Sequence, residues 1–144
     1  MSEFSRIAVA VDGSDGSIRA ARVASRLSRD TGSRLTLLHV YPILPSEIMG
    51  AVSLTAEEIE RAKKSSAERV FKVVEDELSD LPDDVERTSL LGDPAEEILG
   101  YLEEHSGTLM VMGRRGRSKI QSLLLGSVSD KVVRHARSPV TLVT

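Results

Sequence analysis

Cysteine and tryptophan are absent from this chain of 144 residues, and aromatic side chains make up only 3% of it. Without cysteine there is no disulfide framework, no thiolate metal site and no thiol nucleophile, which fits a reducing compartment. The scarce aromatics do not interleave with the basic residues, so the stacking surface that single-stranded nucleic acid requires is missing. A formal net charge of −3 argues the same way, because neutralising many phosphates demands a basic face. No apolar run reaches the length of a membrane span, and Met1 to Arg6 lacks the charged-then-apolar layout of a signal peptide. The expectation is therefore a cytoplasmic protein with neither membrane nor nucleic acid as its partner.

What is present is the material of one domain covering residues 1–144, 40% hydrophobic, with strand-like and helix-like segments in regular alternation. Ile7 to Val11 is a continuous apolar run stopped by Asp12-Gly13-Ser14, the pattern of a strand covered on both faces. Ile18, Ala21, Ala24 and Leu27 then recur at helical spacing, up to a stop at Thr31-Gly32. Leu35 to Tyr41 reads as a second strand. The connection from Pro42 to Leu54 is too apolar for a simple solvated loop and reads as a cover. Thr55 and Glu58, in capping-box spacing, open the longest helix, whose apolar stripe runs through Ile59, Ala62, Val70, Val73, Val74 and Leu78. Val85 to Leu91 is a third strand, and Gly92-Asp93-Pro94 turns into a helix carrying Ala95, Ile98, Leu99 and Leu102. Leu109 to Met112 and Val140 to Val143 complete five strands. Such alternation implies an α/β fold, an open five-stranded parallel sheet in the order 3-2-1-4-5 with helices on both faces. Ligands bind such sheets beyond the carboxyl ends of the strands where the order reverses, here between the turns that follow Val11 and Met112.

The second of those turns carries the chemistry. Gly113-Arg114-Arg115-Gly116 is followed after nine residues by Gly126-Ser127. The glycines allow tight turns, Ser127 with Asp130 reads as the capping pair of a following helix, and that helix would offer backbone N–H groups to an anion. Arg114, Arg115, Arg117 and Lys119 add positive charge. Catalytic sets are incomplete: there is no Walker loop, no kinase signature and no nucleophile elbow. Asp12 to Ser17 looks superficially like a calcium loop, but Val23 occupies the position that needs Glu. His39, His105 and His135 have no metal-ligand spacing; the last two suit helix ends, and His39 sits within a strand. Glu57-Glu58 and Asp83-Asp84 are explained by a charged helix start and a turn.

Taken together, these residues resemble the universal stress protein family in its nucleotide-binding branch. The family pattern of Gly, two residues, Gly, nine residues and Gly-Ser is met by Gly113, Gly116, Gly126 and Ser127, and its opening strand-Asp-Gly-Ser by Val11-Asp12-Gly13-Ser14. Leu38-His39-Val40, Gly92-Asp93-Pro94 through Ile98, and Ser138-Pro139-Val140 also fall where a single-domain member has them, so the resemblance covers nearly the whole chain. It implies an adenine nucleotide alpha hydrolase-like fold and a homodimeric cytoplasmic protein that binds ATP and serves stress tolerance or regulation; magnesium would arrive with the ATP, held chiefly by phosphates and water, with Asp12 the nearest carboxylate. By position, Asp12 and the main chain of Val40 would flank the adenine, and Gly113 would approach the ribose. Gly116, Gly126, Ser127 and Val128 would meet phosphates, with Arg115 a looser match to the family's basic loop position. Two positions depart from the pattern: Ala10 stands where many members have proline, and Thr108 where the family often has Asp.

Three functions follow as expectations. The first is an ATP-binding regulatory module. The second is slow ATP hydrolysis at the same crevice, with Asp12 or a metal-bound water assisting. The third is a nucleotide-independent dimer acting through a protein partner. The short apolar strand Val140 to Val143 would leave unpaired backbone groups at a sheet edge, and pairing across a two-fold axis would cover them.

Overall fold

The computed structural model describes residues 4–42, 55–114 and 125–144. In chain order the elements are β1 (Arg6–Ala10), α1 (Asp15–Thr31), β2 (Arg34–Pro42), α2 (Ala56–Glu77), β3 (Glu86–Gly92), α3 (Pro94–Glu104), β4 (Thr108–Gly113), α4 (Ser127–His135) and β5 (Val140–Val143). The strands form one sheet in the order β3-β2-β1-β4-β5, and every adjacent pair is parallel. The expected strand order is the observed one.

Alternation along each strand divides the core between two faces. Ile7, Val9, Leu35, Leu37, Leu109 and Val111 pack with Ala20, Ala21 and Ala24 of α1 and Val70, Phe71 and Val74 of α2. Ala8, Leu38, Met110 and Met112 pack with Ala95, Ile98, Tyr101 and Leu102 of α3 and Val132 of α4. This is why β1 and β4 carry the consecutive apolar residues Ile7 to Ala10 and Leu109 to Met112 rather than one at every second position. Leu37 and Leu38, neighbours in sequence, are both fully buried on opposite faces, and each such burial contributes about 1.5–3 kcal/mol.

Side chains fix three of the helix starts. Ser14 Oγ accepts the Ser17 N–H at 3.2 Å, Thr55 Oγ1 accepts the Glu58 N–H at 3.1 Å, and Asp93 Oδ2 accepts the Glu96 N–H at 3.0 Å. Pro94 follows as the first residue of α3, where no amide hydrogen is needed. Gly32, at φ 73°, closes α1 in the left-handed conformation.

Two details differ from the pattern reading. Val73, assigned to the core stripe of α2, is 40% exposed, because the sheet covers only the Val70 and Val74 side of the helix. Pro42 belongs to β2, but as its last residue, paired with Gly92, where it interrupts no interior hydrogen bond. Thr108, one of the two departures, starts β4 at the end of the sheet remote from the β4–α4 turn. Its buried hydroxyl donates to the His105 carbonyl at 2.7 Å. Among the described residues no helix is long and apolar enough to cross a membrane.

Candidate functional site

A cleft of about 770 Å³ opens beyond the carboxyl ends of β1, β2 and β4, within the usual range of about 300–1,000 Å³ for small-molecule sites. Asp12, Val40, Gly113, Gly126, Ser127 and Val128 all line it, so segments far apart in sequence meet as the strand order requires. Arg115 and Gly116 lie outside the described residues, as do residues 43–54 of the apolar connection.

The Asp12 side is a tightly bonded turn. Gly13 takes φ 84°, a left-handed conformation that the turn from β1 into α1 imposes. The Ser14 N–H donates to Asp12 Oδ1 at 2.9 Å, and the Asp12 N–H donates to Ser17 Oγ at 3.2 Å. One Asp12 oxygen is thereby engaged by the fold itself, which fixes the direction of the carboxylate. His39 braces this turn from β2. Its Nδ1 lies 2.8 Å from the Val11 carbonyl oxygen and its Nε2 3.1 Å from Ser66 Oγ of α2. A carbonyl can only accept, so these partners assign the proton to Nδ1 and leave Nε2 to accept from the Ser66 hydroxyl. Phe71 packs edge-on against the ring, which is 5% exposed. The histidine is a buried strut joining β1, β2 and α2.

The Gly126 side is built differently. The cap of α4 is Gly126, in extended conformation and with no side-chain hydrogen bond; Ser127 is the first helical residue and does not cap with Asp130. Asp130 instead accepts from Arg134 one turn later, at 2.9 Å. The sequence signal of Ser with an acid three residues on was genuine, but glycine, one position earlier, took the cap conformation. The first intrahelical bond runs from the Asp130 N–H to the Gly126 carbonyl at 2.9 Å, so the amides of Ser127, Val128 and Ser129 precede the helical ladder. Ser129 Oγ donates to the Gly113 carbonyl at 2.8 Å, and the Gly126 N–H to the Arg114 carbonyl at 2.9 Å, locking the helix start to the end of β4. Of the four helices among the described residues, α4 alone starts without a side-chain cap. Its leading amides and dipole can donate to an anion the hydrogen bonds that a capping side chain would otherwise accept.

Pattern reading did not identify Ser17, Ser66, Arg69 and Ser129, which also line the cleft. For Ser66, Arg69, Val70 and Val73 a signal existed, since they recur at one-face helical spacing on α2. A second and larger depression, about 1120 Å³, lies between α3 and α4 and reaches Phe4 and Pro139. Its Lys131 is engaged by Glu96 at 2.5 Å, a hydrogen bond that raises the lysine pKa. Size therefore does not choose the site; the uncapped amides do. No group of three or more potential metal ligands occurs among the described residues.

Comparison with known proteins agrees with this fold. Residues 3–144 match the model of the universal stress protein family. A universal stress protein of Thermus aquaticus is 38% identical over 142 residues, spanning 97% of this chain and 98% of that protein. The solved structure of MJ0577, from Methanocaldococcus jannaschii, is 25% identical and superposes with a TM-score of 0.80 over 99% of this chain and 96% of the other. A universal stress protein from Archaeoglobus fulgidus, solved in complex with dAMP, shares the fold with a TM-score of 0.62 at 24% identity, over 99% of this chain and 100% of that one.

Proposed function

Since the chain belongs to the universal stress protein family, we propose that it is an ATP-binding regulatory module of the stress response, with the nucleotide in the cleft between β1 and β4. The observation that carries this reading is the uncapped start of α4, opening onto a cleft whose other walls are Asp12 and Val40. The triphosphate would take the amides of Ser127 and Val128 together with Gly116 and Arg115 of the intervening loop. Gly113 would lie under the ribose, and Asp12 and the Val40 main chain beside the adenine. Magnesium would enter with the phosphates, which with water supply most of its ligands. The residues present suit this group, since a glycine cap admits an anion where a capping side chain would exclude it. The dAMP complex of the fold relative supports an adenine nucleotide as the ligand class. We place the protein in the cytoplasm, as a homodimer paired through β5.

Titration calorimetry with magnesium and ATP tests the site, comparing the native chain with Gly126→Asp while ADP is followed over several hours. Saturable binding lost in the variant, without ADP, is the expected result. Turnover that the variant abolishes would make the protein a slow hydrolase, and absence of binding would leave a module that works through a protein partner. For the dimer, Val140→Asp is expected to halve the mass measured by light scattering at low concentration; an unchanged mass would refute pairing through β5.

A further inference from the structure

Helix α2 turns one stripe toward the cleft. Ser66, Arg69, Val70 and Val73 all line the cleft. Ser66 and Val70 are buried, whereas Arg69 and Val73 are exposed, and Val73 is one of the two exposed large hydrophobic side chains among the described residues. Arg69 is the only lysine or arginine among the described residues lining the cleft. No acid stands three or four residues from it on α2, where the neighbours are Ser65, Ser66, Lys72 and Val73. Of the other cations of the same helix, Lys63 pairs with Glu60 and Lys72 with Asp76, while Arg61 and Lys64 do not line the cleft. The fold thus holds an exposed valine and an arginine lacking a helical acid partner side by side at the edge of a binding cleft.

Those two chemistries together fit one kind of surface. A guanidinium is planar and weakly hydrated, and lies favourably over an aromatic face, while an aliphatic side chain covers the rest of that face. The position agrees. α2 packs on one face of the sheet over β2 and β3, while α4 packs on the opposite face with α3, so the α2 stripe and the α4 amides bracket the crevice from opposite sides. We infer that Arg69 and Val73 form the base wall of the site, with Arg69 a specificity-determining residue that stacks on a purine base while the phosphates occupy the α4 end. This rests on the nucleotide reading above and adds to it the recognition of the base.

Calorimetric titrations of adenosine, ATP with magnesium, and inorganic tripolyphosphate against the native chain, Arg69→Ala and Arg69→Lys separate the possibilities. Because Arg69 is exposed, both variants are expected to keep the native circular dichroism spectrum. Arg69→Ala is expected to weaken adenosine and ATP equally, by about tenfold, and to leave tripolyphosphate unchanged. Arg69→Lys is expected to behave like the alanine variant, since an ammonium restores charge but not a planar face. Weakened tripolyphosphate with unchanged adenosine would make Arg69 a phosphate cation and overturn the inference, as would three unchanged affinities. A native chain that binds tripolyphosphate and ATP with an Arg69→Ala variant that does so equally well defeats the base wall alone. A native chain that binds none of the probes defeats the nucleotide reading as well.

Discussion

The two ends of the same sheet use polar groups in opposite ways. At the amino ends of β1, β2 and β3 the charged side chains consume one another. Arg6 Nη1 donates to Glu86 Oε2 at 2.8 Å and to Thr36 Oγ1 at 2.9 Å, Arg34 Nη1 reaches Glu86 Oε1 at 2.6 Å, and Arg87 pairs with Glu75. At the carboxyl ends the polar groups around the β1–β4 crevice are mostly backbone amides and small hydroxyls, and one helix start lacks a side-chain cap. One end pairs its charges within the fold, and the other leaves helix-start amides uncapped beside a cleft. Parallel topology makes the division possible, since it sends every strand's carboxyl end, and the helix that follows, to the same side.

The contrast can be broken most severely at His39, a buried carboxyl-end side chain with both ring nitrogens engaged by the fold. His39→Ala would strand the Val11 carbonyl and the Ser66 hydroxyl and leave a cavity, and it is expected to lower stability by about 3 kcal/mol, measured by urea denaturation. A loss below about 1 kcal/mol would show that the strut carries little. Next comes Gly126→Asp, which sets a fixed carboxylate where the ligand's anion belongs. ATP affinity is expected to fall about 100-fold or more, which is about 2.7 kcal/mol, and retained binding would remove α4 from the site. The smallest effect belongs to the amino end. Glu86→Gln is expected to cost about 1 kcal/mol or less at pH 7, because the Glu86 side chain is 35% exposed and solvent screens it, and to leave ATP binding unchanged. The Arg6 hydrogen bond, and after it that of Arg34, holds the Glu86 carboxyl below the ordinary glutamate range. A folded pKa lower than the unfolded one stabilises above the unfolded value, about pH 4.3, and that contribution is lost as pH falls through the folded value. The gap between native and Glu86→Gln stability is therefore expected to close in acid, and a gap that widened there would contradict the pairing.

How much of this was legible in the sequence follows the same division. β1 and β4 were legible because burial on both faces writes itself as unbroken apolar runs, and Thr55-Glu58 and Asp93-Pro94 marked helix starts by local chemistry alone. The cleft was legible where glycines and Asp12 mark turns. The amino-end network was not, because Arg6 and Glu86 are 80 residues apart and only the strand order brings them together. Val73 was misassigned because its spacing fits a core stripe, and periodicity cannot say how wide a strip of helix the sheet will cover. The cap of α4 was misassigned to Ser127 because the signature records residue types but not which residue adopts extended backbone angles.

Gly126 also sets a trap for anyone engineering this protein for robustness. A helix start without a capping side chain is an obvious place to gain stability, and Ser, Asp or Asn there would contribute a few tenths of a kcal/mol. A selection that rewards heat resistance alone would therefore enrich substitutions at position 126 that fill the seat proposed for the nucleotide. The same selection run with saturating ATP would reverse the preference, because a bound ligand stabilises the native chain by mass action, about 2.7 kcal/mol at 100 times its Kd. The residue that survives at this position would then record whether the ligand was present during selection.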